Sequence, residues 1–344
     1  MYNLTLKKLQ LLLLIISCFL LLASCDTEPD GPQILGQTMG TTYSIQWSDQ
    51  SLPVSSKGLK ALIEQRLEHI NSLMSTYIDD SQLSQFNQSR ENGWHAVDLE
   101  LAQLVKEALR ISELSNGAFD ITVGPLVNLW GFGPNHVNFS FPTETEIQIA
   151  LRSTGYQHLD VRLDPPALNK KLPDLYVDLS AIAKGYAVDS VAELLKEHQI
   201  KNFMVEIGGE VKGQGIAPHG NPWRIGIETP SVQRGNIEQI ISLADMGVAT
   251  SGDYRNFIEH EGQRYSHTID PRNGYPVKHN LGSVTVLNAS TATADAWTTT
   301  FMVLGPEQSL QLAKANALSG VLITRQGTNY VSTVFGEMPA YLAK

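Results

Sequence analysis

LYVDLSAIAKGYAVDSVAELLKEHQIKNFMVEIGGEVKG, residues 175–213, decides the fold. Leu175–Leu179 alternates apolar and polar residues and reads as a short strand. Ser180 stands where a cap would open a helix, which the pattern carries to about His198. Phe203–Ile207, the Gly208-Gly209 pair and Glu210–Gly213 then read as a hairpin. Hairpins mixed with packed helices predict an α+β fold with mixed sheets, not a doubly wound parallel sheet.

The same element types recur outward from that stretch. Thr42–Trp47 alternates and predicts a strand. Lys57–Leu73 places Leu59, Leu62, Ile63, Leu67 and Ile70 at helical spacing. Leu99–Leu114 repeats the pattern, and Asn116-Gly117 stops it. Gly124–Pro142 is rich in Gly, Pro and aromatics and reads as a long ordered loop. Thr143–Glu146 is a capping box that opens a helix to about Thr154. Further strands are expected at Arg224–Glu228, Ile237–Leu243, Ser283–Leu287 and Gly320–Thr324, and helices at Thr293–Leu304 and Glu307–Ala317. No Gly-x-Gly-x-x-Gly follows a first strand, so a Rossmann dinucleotide site is unsupported.

The N-terminus carries an address. Lys7 and Lys8 precede an apolar run from Leu11 to Ala23, the layout of a secretory signal peptide. The run is shorter than the roughly 20 apolar residues a spanning helix needs, which argues against the alternative of a transmembrane anchor. Leu22-Ala23-Ser24-Cys25 looks like a bacterial lipobox, with Cys25 as the acylated mature N-terminus. The expected organisation is a signal peptide over 1–24, a lipidated polar tether over 25–33 and a folded domain over 34–344. Cys18 and Cys25 are the chain's two cysteines, so the mature domain has no internal disulfide.

With 42% hydrophobic and 17% charged residues, the chain is a folded protein and not a disordered one. Without Lys7 and Lys8 it holds 23 basic against 35 acidic residues, which excludes a nucleic-acid duplex as partner. A single diphosphate needs only local donors or a metal.

Four constellations are candidates for chemistry. Asp295 and Thr299 are four residues apart on a predicted helix and share a face. A carboxylate with a hydroxyl suits Mg²⁺, although Asp and Thr also serve as caps. His267 and Arg272 lie in a stretch whose Asp270-Pro271-Arg272-Asn273-Gly274 is turn chemistry. His267 is a candidate base, while an Asp270–Arg272 pair would merely hold the loop. Asp178, Ala181, Lys184 and Gly185 surround the start of the 180–198 helix, where small residues admit an anion or permit tight packing. Ala118-Phe119-Asp120 follows a helix stop and Met39-Gly40 precedes a strand. Phe119 and Met39 could pack on a flat ring system, but taken alone each reads first as core packing.

Taken together these segments resemble the ApbE family of FAD:protein FMN transferases. The resemblance runs from about Met39 to Leu304 and also takes in Tyr77, Gly208-Gly209-Glu210, Ser251–Tyr254 and His267–Arg272. Asn273 stands where the family often has Thr, and both suit a turn. The resemblance implies an α+β fold similar to the tunnelling fold. It implies that Met39, Tyr77, Ala118, Phe119, Asp120, Asp178, Lys184 and Ile269 line a site for FAD. It further implies Mg²⁺ held by the Ala181 carbonyl, Asp295 and Thr299, with Thr298 beside them, and His267 serving an acceptor threonine. The implied reaction moves FMN from FAD to that threonine and releases AMP. The implied acceptors are subunits of membrane electron-transfer complexes of the sodium-translocating NADH:quinone reductase or Rnf type, which places the chain in the bacterial cell envelope, at the inner membrane facing the periplasm. Two other readings remain open, a Mg²⁺-dependent FAD diphosphatase and an FAD-binding lipoprotein without chemistry.

Overall fold

A hairpin begins the fold. In the computed structural model, which describes residues 31–50, 52–133, 140–231, 235–243, 245–254, 257–260 and 262–343, β1 (Gln33–Thr38) pairs antiparallel with β2 (Thr41–Trp47). The expected signal peptide, Cys25 and most of the tether lie outside the described residues. Met39 and Gly40 form the two-residue turn at φ 49° and 70°, the handedness that matches strand twist. α1 (Ser56–Met74) buries Leu59, Ile63, Leu67 and Ile70, and the Ser55 side chain caps it. α2 (Gln82–Gln88), β3 (Gly93–Ala96) and α3 (Leu99–Leu114) follow, the last ending before Asn116-Gly117 as expected.

The stretch expected as loop opens with a helix, α4 (Gly124–Leu129), which has Pro125 in its first turn. Leu126 and Trp130 are the reason: with Ile147 and Ile269 they build a small core of their own. α5 (Glu144–Leu151) starts on the predicted capping box but stops short of Thr154. β4 (Leu159–Leu163) and β5 (Pro166–Lys170) complete a three-stranded sheet with β3.

Leu175–Leu179 is not a strand. Its alternation is genuine, since Leu175, Val177 and Leu179 are buried. Its amides, however, go elsewhere than to a ladder: Asp178 donates to the Ile121 carbonyl at 2.7 Å and Val177 to Asn87 Oδ1 at 2.8 Å. Nor does Ser180 cap a helix. Its amide and hydroxyl both donate to Asp178 Oδ1, and α6 (Ala183–Glu197) begins only at Ala183.

The hairpin of β6 (Phe203–Ile207) and β7 (Glu210–Gln214) is as predicted. Then come β8 (Trp223–Glu228), β9 (Ile237–Leu243), β10 (Met246–Gly252), β11 (Phe257–His260), β12 (Gln263–Ser266) and β13 (Leu281–Asn288). α7 (Thr291–Leu304), α8 (Pro306–Ala315), β14 (Ser319–Gln326) and β15 (Asn329–Phe335) close the chain. The large sheet runs β1-β2-β6-β7-β10-β13-β14-β15, antiparallel at every pairing. The α+β class is therefore as expected.

Both faces of the sheet are covered. α6 packs against β6 and β7, and α7 against β10 and β13, in the main core. On the other face Val211, Val248, Leu287, Val321 and Ile323 meet Trp223, Ile241 and Leu243 of the β8–β9 ribbon. β13, caught between the two cores, is buried along almost its whole length. Its buried positions include Ser283 and Thr285 as well as Val284, Val286 and Leu287.

Candidate active site

α6 and α7 approach each other at a glycine. A Cβ on Gly185 would collide with the Thr291 carbonyl and the Ala292 Cα, so another residue there would push the helices apart. That contact puts the Gly185 amide 3.1 Å from Asp295 Oδ2. As the third residue of α6, Gly185 has an amide with no acceptor inside the helix. Here Asp295 takes it.

Lys184, next in line, reaches between two acids. Its Nζ is 2.7 Å from Glu210 Oε1 and 4.0 Å from Asp295 Oδ1. Gly208 packs beside the lysine stem, its would-be Cβ 3.4 Å from Lys184 Cδ, and adopts φ 60° in the hairpin turn. Three segments thus converge on one ammonium. Burial pushes the Glu210 carboxyl up to about 8, with Lys184 opposing and Asp295 adding to the rise. Burial raises Asp295 too, against the pull of Lys184 and the Gly185 amide. Burial disfavours the Lys184 ammonium, but Asp295 and Glu210 outweigh it and hold its pKa above the ordinary value. Two carboxylates share one ammonium, and Glu210 Oε2 is buried with no hydrogen-bond partner. Burial pushes both acids toward their neutral forms, and a further cation beside them would favour the ionised ones.

A cavity of about 370 Å³ opens beside it, lined by Asp295, Thr299, Ala181, Lys184 and Ser251. Ala118, Phe119, Asp120, Asp178 and Tyr77 also line it, as do Val127, Phe132, His267 and Ile269. Asp120 is less a free acid than a tie: Oδ1 accepts from the Thr122 amide and hydroxyl at 2.7 and 2.6 Å, and Oδ2 from the Tyr156 amide at 2.8 Å. It fixes the loop after α3 and so the wall made by Ala118 and Phe119. A second cavity of about 730 Å³ is lined by Met39, Gly40, Asn71, Met74 and Ile78, and it shares Tyr77, Ser180 and Lys184 with the first.

His267 follows β12 at the base of a rigid loop. Asp270 grips Arg272 through Nε and Nη2, both at 2.8 Å, and its amide donates to the Tyr275 carbonyl at 2.9 Å. Trp130 Nε1 adds a 2.8 Å bond to the Gly274 carbonyl. The imidazole meets the Phe132 ring edge-on, with centroids 6.3 Å apart. The Asp270–Arg272 pair does hold the loop, and the loop presents His267 to the cavity; the two sequence readings are compatible.

Of the residues expected from the sequence, Tyr77, Ala118, Phe119, Asp120, Asp178, Ala181, Lys184, His267, Ile269, Asp295 and Thr299 line one cavity. Met39 lies in the second. Thr298 lines neither: it is fully buried, and its hydroxyl donates to the Asp295 carbonyl at 2.7 Å. Glu210 and Ser251 are site residues that the sequence reading does not single out. The signal missed for Glu210 is an acid directly after a Gly-Gly turn, which the turn delivers to whatever the hairpin end touches.

Glu210→Gln tests the cluster. The amide keeps the shape and an acceptor for Lys184 but cannot titrate. A carboxyl raised on folding stabilises below its unfolded pKa and loses that contribution as pH rises toward about 8. The variant should therefore lose less melting temperature than the parent between pH 5 and pH 8. Identical pH profiles in paired melts would count against the cluster as described.

Two helices packed on an antiparallel sheet, with a lysine between two acids where two chambers meet, make up the candidate site. The chain belongs to the ApbE family, whose profile matches residues 39–322. It is 43% identical over 332 residues to the FAD:protein FMN transferase of Vibrio cholerae, covering 96% of this chain and 99% of the relative. The enzyme of that name from Haemophilus influenzae is 41% identical over 331 residues, covering 95% and 96%. The solved structure of the flavin transferase ApbE from Vibrio cholerae superposes with a TM-score of 0.84 at 43% identity, covering 90% of this chain and 99% of that one.

Proposed function

We propose that this chain transfers FMN from FAD to a threonine hydroxyl of an acceptor protein and releases AMP. The relatives' name, FAD:protein FMN transferase, supports the reaction class. The observation that carries the reading is the Lys184–Glu210–Asp295 cluster, set beside a cavity whose wall includes His267. In the step, the threonine oxygen bonds to the FMN-side phosphorus and the phosphorus–oxygen bond to AMP breaks. His267 takes the hydroxyl proton, because an alcohol is a weak nucleophile at its free pKa. Lys184 neutralises diphosphate charge from the junction of the two chambers. Phe119 and Ile269 give apolar walls suited to a flat ring.

The residues present fit Mg²⁺. Asp295, Thr299 and the Ala181 carbonyl offer hard oxygens around one cavity, beside an excess of carboxylate. Among the described residues no group of three or more His, Cys, Asp or Glu makes a site for a softer metal. Bound there, Mg²⁺ supplies charge neutralisation at the diphosphate.

The test incubates pure protein with FAD and Mg²⁺, with and without an acceptor domain. AMP with a fluorescent flavinylated band supports transfer. AMP and free FMN with no labelled band identify a diphosphatase, and no AMP at all leaves only FAD binding.

The address follows from the N-terminus. Among the described residues no helix is long and apolar enough to cross a membrane. Cys25, after Leu22-Ala23-Ser24, would hold the protein by lipid at the inner membrane facing the periplasm. There the tether raises its effective concentration near acceptor subunits of the sodium-translocating NADH:quinone reductase or Rnf type. Cys25→Ser should release the protein from membranes while leaving solubilised transferase activity intact. A variant that stays with membranes through salt and carbonate washes refutes the lipid anchor.

A further inference from the structure

Ser251, at the end of β10, lines the same cavity as Asp295, Thr299 and His267. Its hydroxyl oxygen is 2.8 Å from Thr298 Oγ1. The next link fixes the direction of that bond. Thr298 Oγ1 lies 2.7 Å from the Asp295 carbonyl oxygen. A carbonyl only accepts, so Thr298 spends its one proton there. Ser251 must then donate to Thr298, and its one proton is spent as well. The Ser251 oxygen therefore faces the cavity with lone pairs and nothing to donate.

That polarity selects chemistry. A phosphate oxygen brings lone pairs of its own and would meet another acceptor. A group carrying O–H fits. The FMN half of FAD is a flavin joined to its phosphate through a chain of hydroxyls, so donors stand directly beside the phosphate that is attacked. His267, placed at that phosphate by the proposed reaction, lines this chamber and not the second.

We propose that Ser251 binds a hydroxyl of the FMN polyol chain as a hydrogen-bond acceptor, and that Thr298 is the positioning residue that turns it that way. The bonds run from polyol to Ser251 to Thr298 to the Asp295 carbonyl, and links in such a chain polarise one another. The inference rests on FAD being the substrate. It also accounts for the buried hydroxyl of Thr298 without assigning it to the metal.

Ser251→Ala and Ser251→Thr test it, with FMN, AMP and FAD titrated separately. Removing one neutral acceptor should weaken FMN and FAD about three- to tenfold. AMP affinity should not move, and the threonine variant should restore parental affinity for FMN. Equal loss for AMP and FMN, or a lowered melting temperature with loss of everything, overturns the proposal in favour of a packing role. Unchanged FMN and FAD affinity with a raised KM for the acceptor protein overturns it in favour of an acceptor contact. If the parent protein itself binds neither FAD nor FMN, the FAD reading fails first, and the experiment shows that separately.

Discussion

Asp295→Asn should leave a folded protein that still takes up FAD yet transfers FMN about a hundred- to a thousandfold more slowly. The fold survives because the asparagine carbonyl can replace Oδ2 as acceptor for the Gly185 amide, now 3.1 Å away. The α6–α7 crossing, which depends on Gly185 against Thr291 and Ala292, is untouched. The charge is what disappears. Asp295 is 2% exposed, and a carboxylate in such a setting acts on its neighbours with little screening by water. It helps to hold Lys184 charged, and with Thr299 it offers the hard-oxygen pair facing the cavity. Loss of one preorganised electrostatic group at a developing charge typically costs about two to three orders of magnitude in rate. Mg²⁺ titrations by calorimetry and single-turnover transfer at saturating FAD check the two parts. Parental transfer with an unchanged Mg²⁺ response would remove Asp295 from the site.

The sequence made some of this visible and hid the rest for identifiable reasons. The helices around Leu59–Ile70 and Leu101–Ile111 were legible because each buries one stripe, so their periodicity survives intact. The β6–β7 hairpin was legible through its Gly-Gly turn. β10 was not, because Gly247, Ala249, Ser251 and Gly252 blur its alternation. Those small residues have a tertiary cause: a Cβ on Gly247 would press on the Thr291 backbone at 3.0 Å. The strand gives up side chains so that α7 can lie close, and α7 carries Asp295 and Thr299. The ladder partners missing from Leu175–Leu179 were likewise a matter of neighbours and not of pattern.

The candidate site divides the same way. Asp295 and Thr299 follow from helical spacing, and the small residues at Ala181 and Gly185 from the demands of close approach. The pairing of Lys184 with Glu210 joins a helix to a hairpin and leaves no local trace. Met39 carries a faint trace: a bulky side chain at φ 49° is uncommon, and the turn holds it at the second chamber. Its seat there, apart from Phe119, was not legible, since both residues read as apolar partners for a ring.

His267→Ala should separate binding from chemistry. The side chain stands on a loop braced by Asp270–Arg272 and by Trp130 on Gly274, so its truncation leaves the loop's own ties in place. Truncation removes the imidazole and, with it, the edge contact with Phe132. If the imidazole takes the threonine proton, FAD affinity should stay within about twofold, while transfer falls by about two to four orders of magnitude, the usual contribution of a general base. If it only holds FAD, affinity and rate should fall together. If it only packs, the melting temperature should drop and both should follow. The three cases separate in one paired measurement, FAD titration by flavin fluorescence against single-turnover transfer at saturating FAD. A further arm adds imidazole to the variant, since a small base that fits the space left beside Phe132 should restore part of the rate without changing FAD affinity. Normal single-turnover transfer in a well-folded variant eliminates His267 as the base, and the proton must then leave by another acceptor in the cavity wall.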